Sequence, residues 1–176
     1  MEERVGEAFE LDEALTVVGA KLRTGDQAPD FRLDAVDPGD GAVHPVGLAD
    51  SAGGVRLLNV VNSVDTPVCD VETKRWEEMG RDLTSGVRLY TISMDLPYAM
   101  ARWQREAGVG HQMLSSHREE RFGTDYGVLI KEWRLLQRSV FALDGTGRLI
   151  HVEYVADQMR EPDYGAAVDA VTAALA

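Results

Sequence analysis

Three observations predict a mixed α/β fold. The run VRLLNVVN, residues 55–62, is apolar and β-branched over strand length without polar alternation, as expected of a central strand covered on both faces. Two strand-then-helix units start from it. Further on, two strands joined by GTG read as an antiparallel hairpin ahead of a last helix. A βαβ half and a ββα half, with an additional leading hairpin, make a thioredoxin-like arrangement.

Taken in order, the acidic start MEERVGEAFELDEAL is expected to be loosely structured, an extension of about 20 residues leading into the first strands. TVVGAKL (16–22), DFRLDAV (30–36) and AVHPVGL (42–48) read as short strands, the last two joined by the turn-rich DPGDG. After the central strand, DVETKRWEEMGRDL (70–83) has helical spacing. VRLYTISM (87–94) is a second strand, and PYAMARWQREAG (97–108) a second helix, opened by Pro97 and closed by Gly108. SSHREERFGTDYG (115–127) reads as a third helical piece. KEWRLLQR (131–138) alternates charged and apolar residues, as a half-exposed segment does. RSVFALD and RLIHVEYV form the late hairpin, and EPDYGAAVDAVTAALA the last helix, with Pro162 near its first turn. With no repeat, low-complexity tract or long linker, residues 1–176 are expected to form one domain.

Composition excludes several function classes. Of 176 residues, 44% are hydrophobic, enough for one sizeable core. The formal charge of −12 repels phosphate backbones and anionic lipid surfaces, so neither nucleic acid nor membrane is an expected partner. The start lacks an apolar stretch of signal-peptide length, and nowhere do about 18 apolar residues run together. A soluble cytoplasmic protein is expected. The single cysteine, Cys69, forms no intramolecular disulfide and no zinc site with the scattered His44, His111, His117 and His151; neither cofactor nor metal is expected. If Cys69 has chemistry, it works as a thiol.

Its setting is NVVNSVDTPVCD, residues 59–70. With Thr66 at the N-cap, Pro67 falls at N1, where its missing N–H costs nothing, and Cys69 at N3. Unpaired amides and the positive end of the helix dipole favour a thiolate there. The same pattern also suits a small buried hydrophobe that follows a cap. Asp70 is ambivalent, because its charge suits the helix start but opposes an adjacent thiolate.

VDTPVCD resembles the peroxidatic-cysteine loop of the peroxiredoxins, a pattern of Pro, three residues, Thr, two residues and Cys. DTPVCD, SMDLPYAMARW, SSHREERFGTDYGV and REPDYGAAV together resemble the thiol peroxidase subfamily, over most of the chain from GAKLRTGDQAPDFRL onward. The resemblance implies a peroxiredoxin-type thioredoxin fold with an N-terminal β-hairpin extension and a homodimer. It also implies an enzyme that reduces hydrogen peroxide or organic hydroperoxides. Carried over, Cys69 is the peroxidatic cysteine, Thr66 the hydroxyl beside it and Arg118 the active-site guanidinium; Asn62 and Val68 are the candidate substrate contacts. Without the resemblance, Arg118 reads rather as a solvated charge paired with Glu119 or Glu120, and Thr66 as a plain cap. The chain departs from the pattern twice: Asn62 stands where the motif has proline, and Gln104 where the subfamily has its resolving cysteine. A one-cysteine cycle follows, in which Cys69 passes to a sulfenic acid that an external thiol reduces, either a thioredoxin-like protein or a low-molecular-weight thiol. The alternative is a non-catalytic or weakly reactive redox-sensing or partner-binding module.

Overall fold

The structure, a computed structural model, describes residues 1–83 and 86–176. Its strands are β1 (Glu3–Glu10), β2 (Glu13–Val18), β3 (Arg32–Val36), β4 (Val43–Gly47), β5 (Val55–Val60), β6 (Val87–Ser93), β7 (Gln112–Ser115), β8 (Leu129–Ile130), β9 (Leu135–Leu136), β10 (Ser139–Leu143) and β11 (Leu149–Tyr154). Its α-helices are α1 (Pro67–Asp82), α2 (Pro97–Ala107), α3 (Arg121–Asp125) and α4 (Tyr164–Leu175).

Seven strands form the main sheet in the order β11-β10-β5-β6-β7-β3-β4, with β5, β6 and β7 parallel. All six residues of β5 are buried, Arg56 and Asn59 included, as a run without polar alternation requires. Alternate side chains serve opposite faces. Val55 and Leu57 pack with Trp76 of α1 and with Ala167 and Val171 of α4. Leu58 and Val60 pack with Phe31, Phe122, Tyr126 and Phe141. Helix α1 buries Cys69, Glu72, Thr73 and Trp76, one stripe at i, i+3, i+4 and i+7. Gly108 ends α2 in the left-handed conformation (φ 68°), and the Asp163 carboxylate caps α4 by accepting from the Ala166 amide at 3.1 Å. Pro162 therefore sits just ahead of that cap.

The acidic amino end departs from its expected looseness. It forms β1, paired antiparallel with β2 from Glu3↔Val18 to Glu10↔Glu13. Backbone pairing is indifferent to side-chain charge, and the acids find lysines: Glu3 pairs with Lys131 and Glu7 with Lys21. Ala8, Leu15 and Val17 bury against Ile130 and Trp133, so this hairpin joins a second sheet, β1-β2-β8-β9. The third helical piece shrinks to α3, because Ser115 completes β7 and the next residues are loop. KEWRLLQR contains the turn between β8 and β9, with Arg134 at φ 57°.

Candidate active site around Cys69

The loop from β5 to α1 is held by Asp95, whose carboxylate accepts from Ser63 Oγ at 2.8 Å and from the Val64 amide at 2.9 Å. Thr66 is the N-cap residue (φ −89°, ψ 145°), Pro67 is N1 and Cys69 is the third helical residue. The Thr66 carbonyl accepts from the Asp70 amide at 2.9 Å. Its hydroxyl makes no cap bond and donates to the Ser63 carbonyl at 2.9 Å instead. With that hydroxyl committed elsewhere, the Val68 and Cys69 amides have no protein acceptor among the described residues. They add partial positive charge around the sulfur. Asp70 is turned away, bonded to Trp103 Nε1 at 3.1 Å and to Lys74 Nζ at 2.8 Å, which relieves its conflict with a thiolate.

Cys69 Sγ lies 3.4 Å from Arg138 Nη2 and 3.9 Å from Asn62 Oδ1. Arg138 immediately precedes β10, and the pairing of Ser139 with Val60 sets it beside the loop that leaves β5. Its side chain is 1% exposed. Nη2 also donates to the Gln158 carbonyl at 2.9 Å, while Nη1 bonds the fully buried carboxylate of Glu72, one helical turn beyond Cys69. A guanidinium stays charged when buried and needs an anion beside it; Glu72 is that anion. Asn62 braces the group, its amide donating to the Leu136 carbonyl at 2.6 Å and to Gln158 Oε1 at 3.0 Å. Gln158 Oε1 accepts in addition from the Arg138 backbone amide at 2.9 Å. Arginine, carboxylate, amides and thiol thus form one connected buried cluster.

Arg118 is not part of it, which corrects the sequence expectation. The pairing Asp34↔Ser115 lays β7 beside β3, and Arg118, three residues on, reaches the Asp34 carboxylate, Nε to Oδ2 at 2.8 Å. Its side chain is 70% exposed, on a separate cleft with Arg32, Pro45 and Ser116. Gln104 is also remote from the thiol in its bonding: its Nε2 donates to the His111 carbonyl at 2.8 Å. His111 in turn is held by Glu77 at 2.8 Å, and burial keeps its ring below the ordinary histidine pKa despite that carboxylate.

Residues 24–152 match the model of the AhpC/TSA family. A thiol peroxidase of Halalkalibacterium halodurans is 43% identical over 162 residues, 92% of this chain and 94% of the relative. This chain belongs to the AhpC/TSA family, on its thiol peroxidase branch. A thiol peroxidase of Bacillus subtilis is 42% identical over 90% of this chain and 92% of its own length. A peroxiredoxin-like protein from Aquifex aeolicus superposes with a TM-score of 0.84 at 30% identity, covering 97% of this chain and 98% of that one. The thioredoxin-like architecture expected from the sequence is therefore that of the family.

In this family member, Asn62, Thr66, Val68 and Arg138 line a cleft of about 390 Å³, whose other walls include Pro67, Trp133 and Met159. Its lining is mostly apolar. Cys69 itself has no exposed surface and is in contact with two of the lining residues, Asn62 and Arg138. A larger cleft of about 730 Å³ by Glu77, Arg88 and His111 contains no thiol. Sequence reasoning missed Arg138, Glu72 and Gln158. One signal was available: Glu72 is an acid on the buried stripe of α1, and an acid there demands a buried cation.

Proposed function

We propose that this protein is a one-cysteine peroxidase that reduces hydrogen peroxide or organic hydroperoxides through Cys69 at the expense of an external thiol. The contact of Arg138 Nη2 with Cys69 Sγ at 3.4 Å, at a helix start, carries the reading. Guanidinium and first-turn amides favour the thiolate, and the same donors can bind the peroxide. The thiolate attacks the terminal peroxide oxygen and the O–O bond breaks. Two electrons leave sulfur, and the alkoxide or hydroxide departs with a proton to become alcohol or water. The Thr66 hydroxyl, already donating to Ser63, has lone pairs free to accept the peroxide proton. The Cys69 sulfenic acid then condenses with an external thiol, releasing water, and a second thiol frees Cys69 from the mixed disulfide. In this assignment Arg138 takes the part that the resemblance implied for Arg118.

Full burial of the sulfur favours one second reading, a slowly oxidised sensing or partner-binding module. Trapping separates the two. After one equivalent of peroxide, dimedone should label Cys69 in the wild type and nothing in Cys69→Ser, and oxidation should be far faster than for free cysteine at equal pH. Cys69 that stays a free thiol, or reacts no faster than free cysteine, sinks the peroxidase reading. We further place the protein in the cytoplasm as a homodimer. Among the described residues no helix is long and apolar enough to cross a membrane, and Leu96 and Tyr98, 52% and 62% exposed at the start of α2, offer apolar surface for a second copy. A monomer mass by light scattering at micromolar concentration would contradict the dimer.

A further inference from the structure

We propose that Glu10 acts as a charge filter at the mouth of the peroxide cleft, disfavouring hydroperoxides that carry a carboxylate and so selecting neutral ones. The inference rests on the peroxidase reading and adds a specificity determinant to it. Glu10 and Arg138 are the two charged residues on the cleft walls, and they differ in standing. Arg138 is buried and neutralised by Glu72. Glu10 is part-exposed, and no cation pairs with it among the described residues. The other acids of its strand, Glu3 and Glu7, are paired with lysines. An incoming anion therefore meets an uncompensated negative charge before it meets the guanidinium.

Glu10 is held in register with the reactive group. The Phe9 amide donates to the Ala156 carbonyl at 2.8 Å, and the Gln158 amide donates to the Phe9 carbonyl at 2.9 Å. Gln158 is the residue whose side chain and carbonyl bind Asn62 and Arg138. The end of β1 is thus one hydrogen bond from Gln158, the residue that positions the guanidinium, and Glu10 follows immediately. Beside it, Trp133, Leu135 and Met159 give the cleft apolar walls suited to an alkyl or aryl group. A ligand able to use those walls and carrying no charge is a neutral organic hydroperoxide.

Two like charges about 8 Å apart across a wet mouth, at an effective dielectric constant of about 40, repel enough for a rate difference of about fivefold. The probe is a matched pair, cumene hydroperoxide and its ring-carboxylated analogue, with second-order oxidation of Cys69 measured at low ionic strength. The readout is the ratio of the neutral rate to the carboxylate rate. We expect that ratio to fall about fivefold in Glu10→Gln and further in Glu10→Lys, and in the wild type to shrink as the Debye length drops to about 3 Å in 1 M salt. Glu78→Gln removes the same net charge from an exposed site on α1 outside the cleft, and should keep the wild-type ratio. Equal ratios in wild type and Glu10→Gln, or an equal fall in Glu78→Gln, overturn the filter while leaving the peroxidase reading intact. Wild-type protein that reduces neither hydroperoxide faster than free cysteine overturns both.

Discussion

Arg138→Met should slow oxidation of Cys69 by hydrogen peroxide by about 10²–10³-fold, the usual cost of removing one preorganised donor from a developing charge. Alkylation by iodoacetamide at fixed pH should slow as well, because the guanidinium 3.4 Å from Sγ favours the reactive anion. Arg118→Met should change the rate by less than about twofold, since it removes a largely exposed guanidinium whose pairing is with Asp34, away from the thiol. The contrast tests which of two arginines does the work. Loss of Arg138 also strands the buried Glu72 carboxylate, so the rate must be read beside a variant that keeps the charge. Arg138→Lys does so, yet a point charge cannot serve Glu72, the Gln158 carbonyl and the sulfur together. It should fold and still lose most of the rate. Thr66→Val, which lacks the hydroxyl bonded to Ser63, should slow peroxide oxidation by about 10² with little change in melting temperature. An Arg138→Met protein that reacts like the wild type would remove the guanidinium from the mechanism.

Much of this site was legible in the sequence, and the part that was not has a physical cause. β5, α1, β6, α2, the β10–β11 hairpin and α4 each carry a local signal: a mainly apolar run without alternation, a helical stripe, a proline or glycine at the right end. β7, β8 and β9 span only four, two and two residues, too short for any period, and exist because neighbouring strands supply their partners. The placement of Cys69 at N3 followed from Thr66 and Pro67 alone. The arginine did not, because which cation reaches the thiol depends on strand register far away in sequence. Arg138 arrives through the pairing Ser139↔Val60, and Arg118 is carried off through Asp34↔Ser115. KEWRLLQR looked half-exposed by its alternation. Its last residue, though, abuts a strand buried at all five positions, and a charge at such an entrance needs a partner inside.

That partner gives the second large effect. Glu72→Ala should cost about 3–5 kcal/mol, because it leaves the Arg138 guanidinium buried without its anion. For a chain of this size that is a fall of about 6–20 °C in melting temperature. Glu72→Gln keeps an acceptor for Nη1 and should lose less stability. The informative variant is the double replacement Glu72→Leu with Arg138→Met. Exchanging a buried ion pair for apolar groups of similar volume is often neutral or better for stability, whereas removing either ion alone is not. The double variant should therefore melt well above Glu72→Ala while reacting with peroxide as slowly as Arg138→Met. Such a result would assign the pair to the sulfur: the fold does not need two charges between α1 and β10, but a thiolate at Cys69 needs one of them and that one needs the other. A double variant no more stable than either single one would mean instead that the pair is part of what holds α1 against the sheet, with its reach toward Cys69 a consequence of that packing.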